Sequence, residues 1–190
     1  MPPLRPHAML VERPFGADAG LDACVERVQQ SRVIIVRFGN LWQALTELRH
    51  RQREVGFAAL SVLDVLGHGE PGALSVGDAL LTADPQVQRV LAQLLNPPAL
   101  VDAQTVVRLL GCGVGMGGRA LDLPLGAAGD GPLLALSLKR RLGCRVQVAL
   151  LGVDPHDFGA SGYAASGNLA EAVDAQRCEL VPVTASPAAP

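Results

Sequence analysis

Two glycine-flanked residues, His68 and Cys112, have the side chains best suited to covalent chemistry. His68 stands in Gly-His-Gly at 67–69 and Cys112 in Gly-Cys-Gly at 111–113, and each follows a strongly apolar run. A thiolate is a good nucleophile, and a neighbouring imidazole can take the thiol proton or stabilise the thiolate. Flanking glycines let a substrate backbone approach closely and leave backbone N–H groups free to bind an oxyanion. The pattern favours nucleophilic catalysis by Cys112, with His68 as acid and base and the N–H groups of Gly69 and Cys112 as oxyanion donors.

Apolar runs that alternate with amphipathic segments predict the elements that would carry these residues. Continuous or β-branched apolar runs predict strands at 8–11, 32–38, 60–66, 105–110 and 145–151, with a short strand or hairpin at 73–76. Apolar residues at helical spacing predict helices at 18–30, from the N-cap Asn40 to about 54, at 86–95 and at 131–142. Beyond Gly152 the composition favours loop, with a weak helix predicted at 168–176 and a strand at 178–183.

The alternation of strands and helices predicts an α/β fold, a three-layer α/β/α sandwich with a mostly parallel central sheet. In such sheets, ligands and catalytic groups gather at the carboxyl ends of the strands. His68 follows the third main strand and Cys112 follows the fourth, so neighbouring strands would place both at one sheet edge. A length of 190 residues fits one domain, predicted at 1–183, with a flexible tail at 184–190.

Composition and charge narrow the classes of partner. Apolar residues make up 49% of the chain and the net charge is −2. The densest basic cluster, at 49–53, is typical of a solvated helix face, so no nucleic-acid partner is predicted. No apolar run reaches the roughly 18–20 residues that span a bilayer, so no membrane partner is predicted. The N-terminus lacks the apolar stretch of a signal peptide, and we expect a cytoplasmic protein.

The cysteine and histidine spacings give no sign of a metal site or a disulfide scaffold. The cysteines are Cys24, Cys112, Cys144 and Cys178. They are widely spaced, without the CxxC pairs of zinc sites, and the histidines form no pair at helical spacing. All except Cys112 are predicted to be buried small hydrophobes. His7 and His50 are predicted to be surface residues.

The two motifs together resemble those of the caspase-like cysteine peptidases, in which an apolar strand ending in His-Gly is followed by an apolar strand ending in Cys. This group includes caspases, metacaspases, clostripain-like enzymes and the self-cleaving protease domains of bacterial toxins. The separation from His68 to Cys112 is close to the roughly 50 residues of caspases. The resemblance is strongest to bacterial caspase-like domains of uncertain activity in large surface proteins. Their His-Gly-x-x-Gly-x-Leu-x-Leu-Gly stretch is matched at 68–77, with Val76 for the second Leu, and their Gly-Cys strand end at 109–112.

The resemblance covers about residues 8–162. It implies a caspase-like fold and a cysteine endopeptidase that acts on a peptide or protein substrate with no metal or organic cofactor. The caspase signature Gln-Ala-Cys-x-Gly is absent. Metacaspases carry an acidic residue two positions before the cysteine, where this chain has Leu110, so a preference for basic substrates is not supported. The toxin domains approach their cysteine through apolar residues and cleave after Leu, which predicts an apolar residue before the cut here too.

A polar loop beyond the last strong strand is predicted to help form the pocket for the residue before the cut. It spans 154–163, and its candidate substrate-binding residues are Asp154, His156, Asp157 and Tyr163. Either aspartate, if turned into the pocket, would instead select a basic residue.

Three alternative functions stay open, as does the oligomeric state. A catalytically inactive binding or assembly module would keep the same fold and motifs. Residues 113–118 fit the GxGxxG dinucleotide fingerprint, but they follow the fourth strand, not the first, and Pro124 interrupts the helix that should follow. Residues 62–69 resemble the strand and glycine loop of S-adenosylmethionine-binding methyltransferases, but Leu66 is an extra residue in that loop.

Overall fold

The computed structural model describes residues 4–13, 18–95, 99–117, 130–174 and 179–184. The helices are Ala19–Glu26 (α1), Leu41–Val55 (α2), Pro85–Leu95 (α3) and Gly131–Leu142 (α4). The strands in the first half are His7–Glu12 (β1), Val33–Phe38 (β2), Val62–Leu66 (β3), Gly69–Glu70 (β4), Ala73–Ser75 (β5) and Leu80–Leu81 (β6). Those in the second half are Val106–Leu110 (β7), Arg145–Ala149 (β8), Phe158–Gly159 (β9), Gly162–Tyr163 (β10), Leu169–Asp174 (β11) and Glu179–Pro182 (β12).

Seven of these strands form one central sheet in the order β12-β11-β8-β7-β3-β1-β2. Strands β2, β1, β3, β7 and β8 run parallel to one another, while β11 pairs antiparallel with both β8 and β12. The predicted α/β class with a mostly parallel sheet is therefore confirmed. Strands β3 and β7 are adjacent, with Leu66 paired to Leu110 at their carboxyl ends. The prediction that the strands preceding His68 and Cys112 are adjacent is confirmed as well.

Side chains along each strand alternate between two separate hydrophobic clusters. In β1, Ala8 and Leu10 join one cluster, while Met9 and Val11 join the other. Buried residues of α2, α3 and α4 complete the first cluster, and those of α1, with Phe158 and its neighbours, complete the second. The continuous apolar runs in the sequence thus correspond to strands that are buried on both sides.

Local capping signals set where the helices begin and end. The Asn40 side chain accepts hydrogen bonds from the N–H groups of Trp42 and Gln43 and starts α2, as predicted. Gly56 ends α2 in the left-handed conformation, with φ 76°, which glycine adopts without strain. The carboxylate of Asp18 caps α1 by accepting from Gly20 and Leu21. No helix within the described residues has both the length and the apolar character to cross a bilayer.

Beyond Gly152 the structure departs from the prediction. The helix predicted at 168–176 is wrong: the segment forms strand β11, which pairs with the free edge of β8. Its apolar residues fit the alternating pattern of a strand and the spacing of a helix equally well. Pairing with β8 makes the segment a strand. The preceding segment contains the β9–β10 hairpin and two short 3₁₀ turns. Residues 175–178 and 185–190, which include Cys178 and nearly all of the predicted tail, lie outside the described residues.

A buried polar network crosses the middle of the sheet and corrects one prediction. Asp64 of β3 is fully buried, and its carboxylate accepts from the Arg108 guanidinium of β7 at 2.5 and 2.7 Å. His7 Nε2 lies 2.8 Å from the same carboxylate, so the prediction that His7 is a surface residue is wrong. Arg108 also donates to the carbonyl of Tyr163, which ties the β9–β10 hairpin to the sheet.

The electrostatics of the network follow from these partners. Burial alone would raise the pKa of Asp64, but the charge of Arg108 and the bonds from His7 and Arg108 outweigh it and lower that pKa. The resulting stabilisation of the fold is fully present above the pKa that Asp64 has in the unfolded chain. It is lost as the pH falls through the lower folded pKa.

We expect Arg108→Met to destabilise the fold by about 3–5 kcal/mol at neutral pH, because it leaves the Asp64 carboxylate buried without its cation. Burial would then raise the pKa of Asp64, so the cost should grow as the pH rises from about 3 to about 7. Urea denaturation of both proteins across this range measures the cost. The double variant Asp64→Asn/Arg108→Met has no buried carboxylate to titrate, so its cost should be constant above about pH 4, where the wild-type contribution of Asp64 is complete. A flat cost for Arg108→Met alone would contradict the account.

Candidate active site

His68 and Cys112 occupy equivalent positions at one edge of the sheet. Each lies two residues beyond the paired strand ends Leu66 and Leu110, and the Gly67 N–H continues the ladder to the Leu110 carbonyl at 3.2 Å. The His68 side chain is 64% exposed, and Cys112 is also exposed. Both functional groups are therefore accessible from solvent at neighbouring strand ends.

Close backbone contact between the two loops explains the glycines around these residues. A Cβ built on Gly69 would lie 2.6 Å from the Gly111 carbonyl carbon and 2.8 Å from the Cys112 nitrogen. A Cβ on Gly111 would lie 2.9 Å from the Gly69 Cα and 2.5 Å from Leu74 Cδ1. Side chains are excluded from both positions. The glycines therefore bring the His68 loop into van der Waals contact with the Cys112 backbone.

Two backbone N–H groups at this contact have no acceptor among the described residues. Ser75 donates its N–H to the His68 carbonyl at 2.7 Å, which makes the next pair of the hairpin, Gly69 and Leu74, a non-hydrogen-bonded pair. The Gly69 N–H therefore points away from its partner strand. Within the described part of the chain, the Cys112 N–H has no acceptor either. These are the two donors that the sequence predicted for an oxyanion.

A buried carboxylate at the end of β1 organises the loop that carries His68. Glu12 is only 4% exposed and accepts from the His68 N–H at 3.1 Å and the Gly77 N–H at 3.0 Å. It also accepts from the Ser75 hydroxyl. Sequence reasoning missed this residue. The available signal was an acidic residue that ends a buried apolar strand, where a charge needs partners.

Asp18 contacts the His68 ring directly. Its Oδ2 lies 2.6 Å from His68 Nε2, while its Oδ1 accepts from the N–H groups of Gly20 and Leu21 at 3.0 and 3.1 Å. The bond from Leu21, followed by the bond with His68, lowers the pKa of Asp18. Sequence reasoning placed Asp18 only at the start of a helix. Its contact with His68 depends on the lateral order of the strands, which the sequence does not show.

Of the predicted substrate-loop residues, Asp154, His156 and Asp157 belong to a turn at the surface, and Tyr163 is buried. Asp154 and Asp157 cap the turn Pro155–Asp157 reciprocally: Asp154 accepts from the His156 N–H at 2.8 Å, and Asp157 accepts from the Asp154 N–H at 2.9 Å. His156 Nδ1 lies 3.1 Å from an Arg27 guanidinium nitrogen at the end of α1. Tyr163 is buried beneath this turn, where it packs edge-on against Phe158. Burial raises the pKa of Tyr163 to about 12.

The described cysteines divide into one exposed and two buried thiols. Cys24 and Cys144 are buried, as predicted, and Cys112 is exposed. Burial raises the pKa of Cys24 to about 11, and the charges of Asp154, Asp157 and Asp18 act in the same direction. Burial also raises the pKa of Cys144 to about 11. Among the described cysteines, reactivity is therefore expected at Cys112.

Within the described ranges, no group of three or more His, Cys, Asp and Glu side chains is arranged to hold a metal ion. The glycine loop ending at Gly69, which resembled that of methyltransferases, leads into the β4–β5 hairpin. Residues 113–117 of the other glycine-rich segment form no helix, whereas a dinucleotide fingerprint opens one. Gly118 and Pro124 lie outside the described residues.

No family model matches the chain, and no curated protein matches it. The chemistry of the site is therefore inferred from its geometry.

We expect Gly69→Ala to destabilise the protein by about 1–3 kcal/mol, because the new methyl group would force the two loops apart. The loops should then no longer hold the Gly69 and Cys112 N–H groups in place. The matched control is Gly152→Ala, because a Cβ at Gly152 meets nothing within 4 Å. That change should stay within about 0.5 kcal/mol. Equal unfolding free energies for the two variants in urea would contradict the close contact.

Proposed function

We propose that this chain is a caspase-like cysteine endopeptidase with a three-layer α/β/α fold. The observation that carries the proposal is the in-register placement of His68 and Cys112 beyond adjacent parallel strands. The association of α1 with one hydrophobic cluster and of α2, α3 and α4 with the other supports the layered fold. Access to solvent at both residues fits a site that takes a polymeric substrate.

In the proposed reaction, the Cys112 thiolate attacks the carbonyl carbon of the scissile peptide bond after His68 takes the thiol proton. The carbonyl oxygen becomes an oxyanion, which the N–H groups of Gly69 and Cys112 bind. As the C–N bond breaks, His68 returns the proton to the leaving amine and a thioester forms. Water activated by His68 then adds to the thioester, which releases the acid product and restores the thiol.

The site also bears on substrate preference, and we propose an apolar residue before the cut. Leu110, two positions before the cysteine, is fully buried and offers no charge to a substrate. Asp154 and Asp157 each already accept a hydrogen bond through one carboxylate oxygen, and both bonds lie within the capped turn at 154–157. This leaves those carboxylates less able to bind a basic side chain. His156, on the same turn, and Tyr163, beneath it, complete the proposed pocket.

We expect His68→Ala to slow alkylation of Cys112 by iodoacetamide about tenfold or more near neutral pH, because the base that favours the thiolate is lost. Peptide mapping of the labelled protein measures the rate at each cysteine. Comparing Cys112 with Cys24 and Cys144 is not a sufficient test, because burial alone slows those two.

The matched control for this experiment is His50→Ala, since His50 is an exposed histidine on α2 that pairs with Glu54. It should leave labelling of Cys112 unchanged. If His68→Ala also leaves it unchanged, Cys112 is merely an exposed thiol. The chain would then be a binding or assembly module that keeps the fold without the activity.

We expect the wild type to cleave a peptide library after apolar residues, and Cys112→Ala to abolish cleavage, because no other described thiol is exposed. Mass spectrometry of the products identifies the residue before each cut. Cleavage only after Arg or Lys would refute the apolar preference and assign Asp154 or Asp157 to the pocket. Cleavage that survives in Cys112→Ala would show that the activity comes from elsewhere.

A further inference from the structure

The Asp18 carboxylate bridges two parts of the fold that are distant in sequence. Through Oδ1 it binds the first turn of α1, and through Oδ2 it binds the ring of His68. Helix α1 is anchored in the core by buried residues, among them Leu21 and Cys24. The carboxylate is therefore fixed to a rigid element, although His68 itself is largely exposed.

We propose that Asp18 is a positioning residue that fixes the tautomer and orientation of His68, so that Nδ1 is the nitrogen that serves Cys112. This inference rests on the proposed function. An ionised carboxylate can only accept hydrogen bonds, so the ring nitrogen facing Asp18, Nε2, must carry a hydrogen. In a neutral imidazole with Nε2–H, the lone pair is on Nδ1, which can then take the thiol proton. The resulting imidazolium is stabilised by the charge of Asp18.

The surroundings of His68 agree with this role. Two carboxylates hold His68: Glu12 accepts from the His68 backbone N–H, and Asp18 contacts the His68 ring. Exposed ion pairs contribute little to stability, typically about 0–1 kcal/mol. With a His68 side chain that is 64% exposed, the pair is better placed to restrict ring rotation than to stabilise the fold. The expected effect of Asp18 is therefore on reactivity.

The experiment compares Asp18→Asn and Asp18→Ser with the wild type. Asparagine and serine cap helices about as well as aspartate, so thermal unfolding should change little. The asparagine amide can donate to Nε2, which would favour the opposite tautomer, with the hydrogen on Nδ1. Serine is too short to span the distance to the ring. Iodoacetamide labelling of Cys112 near neutral pH should slow about tenfold in Asp18→Asn and less in Asp18→Ser, and its pH profile should shift to higher pH.

The matched control is Asp22→Asn, because Asp22 lies on the same helix and pairs with Arg37, away from His68. It should leave the labelling rate and its pH profile unchanged. Normal labelling in both Asp18 variants, together with slow labelling in His68→Ala, would overturn the inference and leave the proposed function intact. Normal labelling in His68→Ala would instead overturn the proposed function. The ring ¹⁵N resonances of His68, recorded at a pH where the ring is neutral, provide a readout that needs no variant: a hydrogen on Nδ1 instead of Nε2 would also overturn the inference.

Discussion

The close backbone contact between the loops beyond β3 and β7 is the constraint on which the candidate site depends. Parallel pairing places Leu66 opposite Leu110 at the ends of the two strands. His68 and Cys112, each two positions further on, therefore follow adjacent strand ends at one edge of the sheet. The contact is possible only because Gly69 and Gly111 leave no side chain between the two backbones. The two glycines thus allow the loop that carries His68 to pack directly against the loop that carries Cys112.

Three carboxylates stabilise this region, and their environments separate their roles. Asp64 is fully buried and paired with Arg108, so it belongs to the core of the sheet. Glu12 is also buried, but its partners are the backbone and hydroxyl donors of the His68 loop and hairpin, so it shapes that loop. The Asp18 side chain is 21% exposed and faces the imidazole ring, so it is the one that would influence proton transfer in the proposed reaction. Depth of burial and type of partner therefore separate the two structural carboxylates from the one to which we assign a role in the proposed reaction.

The sequence was sufficient for features that depend on local pattern. The apolar runs that became β3 and β7, the Asn40 cap and the glycines beyond both strands could all be identified from neighbouring residues. Features that depend on lateral strand order could not. His7 was expected at the surface because nothing nearby in sequence shows that β1 lies beside β3, where Asp64 meets its ring. The β11 segment was ambiguous for a similar reason: its residues satisfy both periodicities, and only the open edge of β8 makes it a strand.

Strand order also explains why the candidate site draws on a strand that carries neither of its motifs. Strand β1 lies on the far side of β3 from β7, and both Glu12 and Asp18 contact His68. Glu12 ends that strand, and Asp18 begins the helix that follows it. The imidazole is therefore held by a carboxylate at the start of α1, while the backbone of its loop is held by the carboxylate that ends β1. A candidate site that follows two strand ends thus draws its supporting carboxylates from the end of a third strand and the helix after it, which a parallel sheet allows when its first strand lies in the interior.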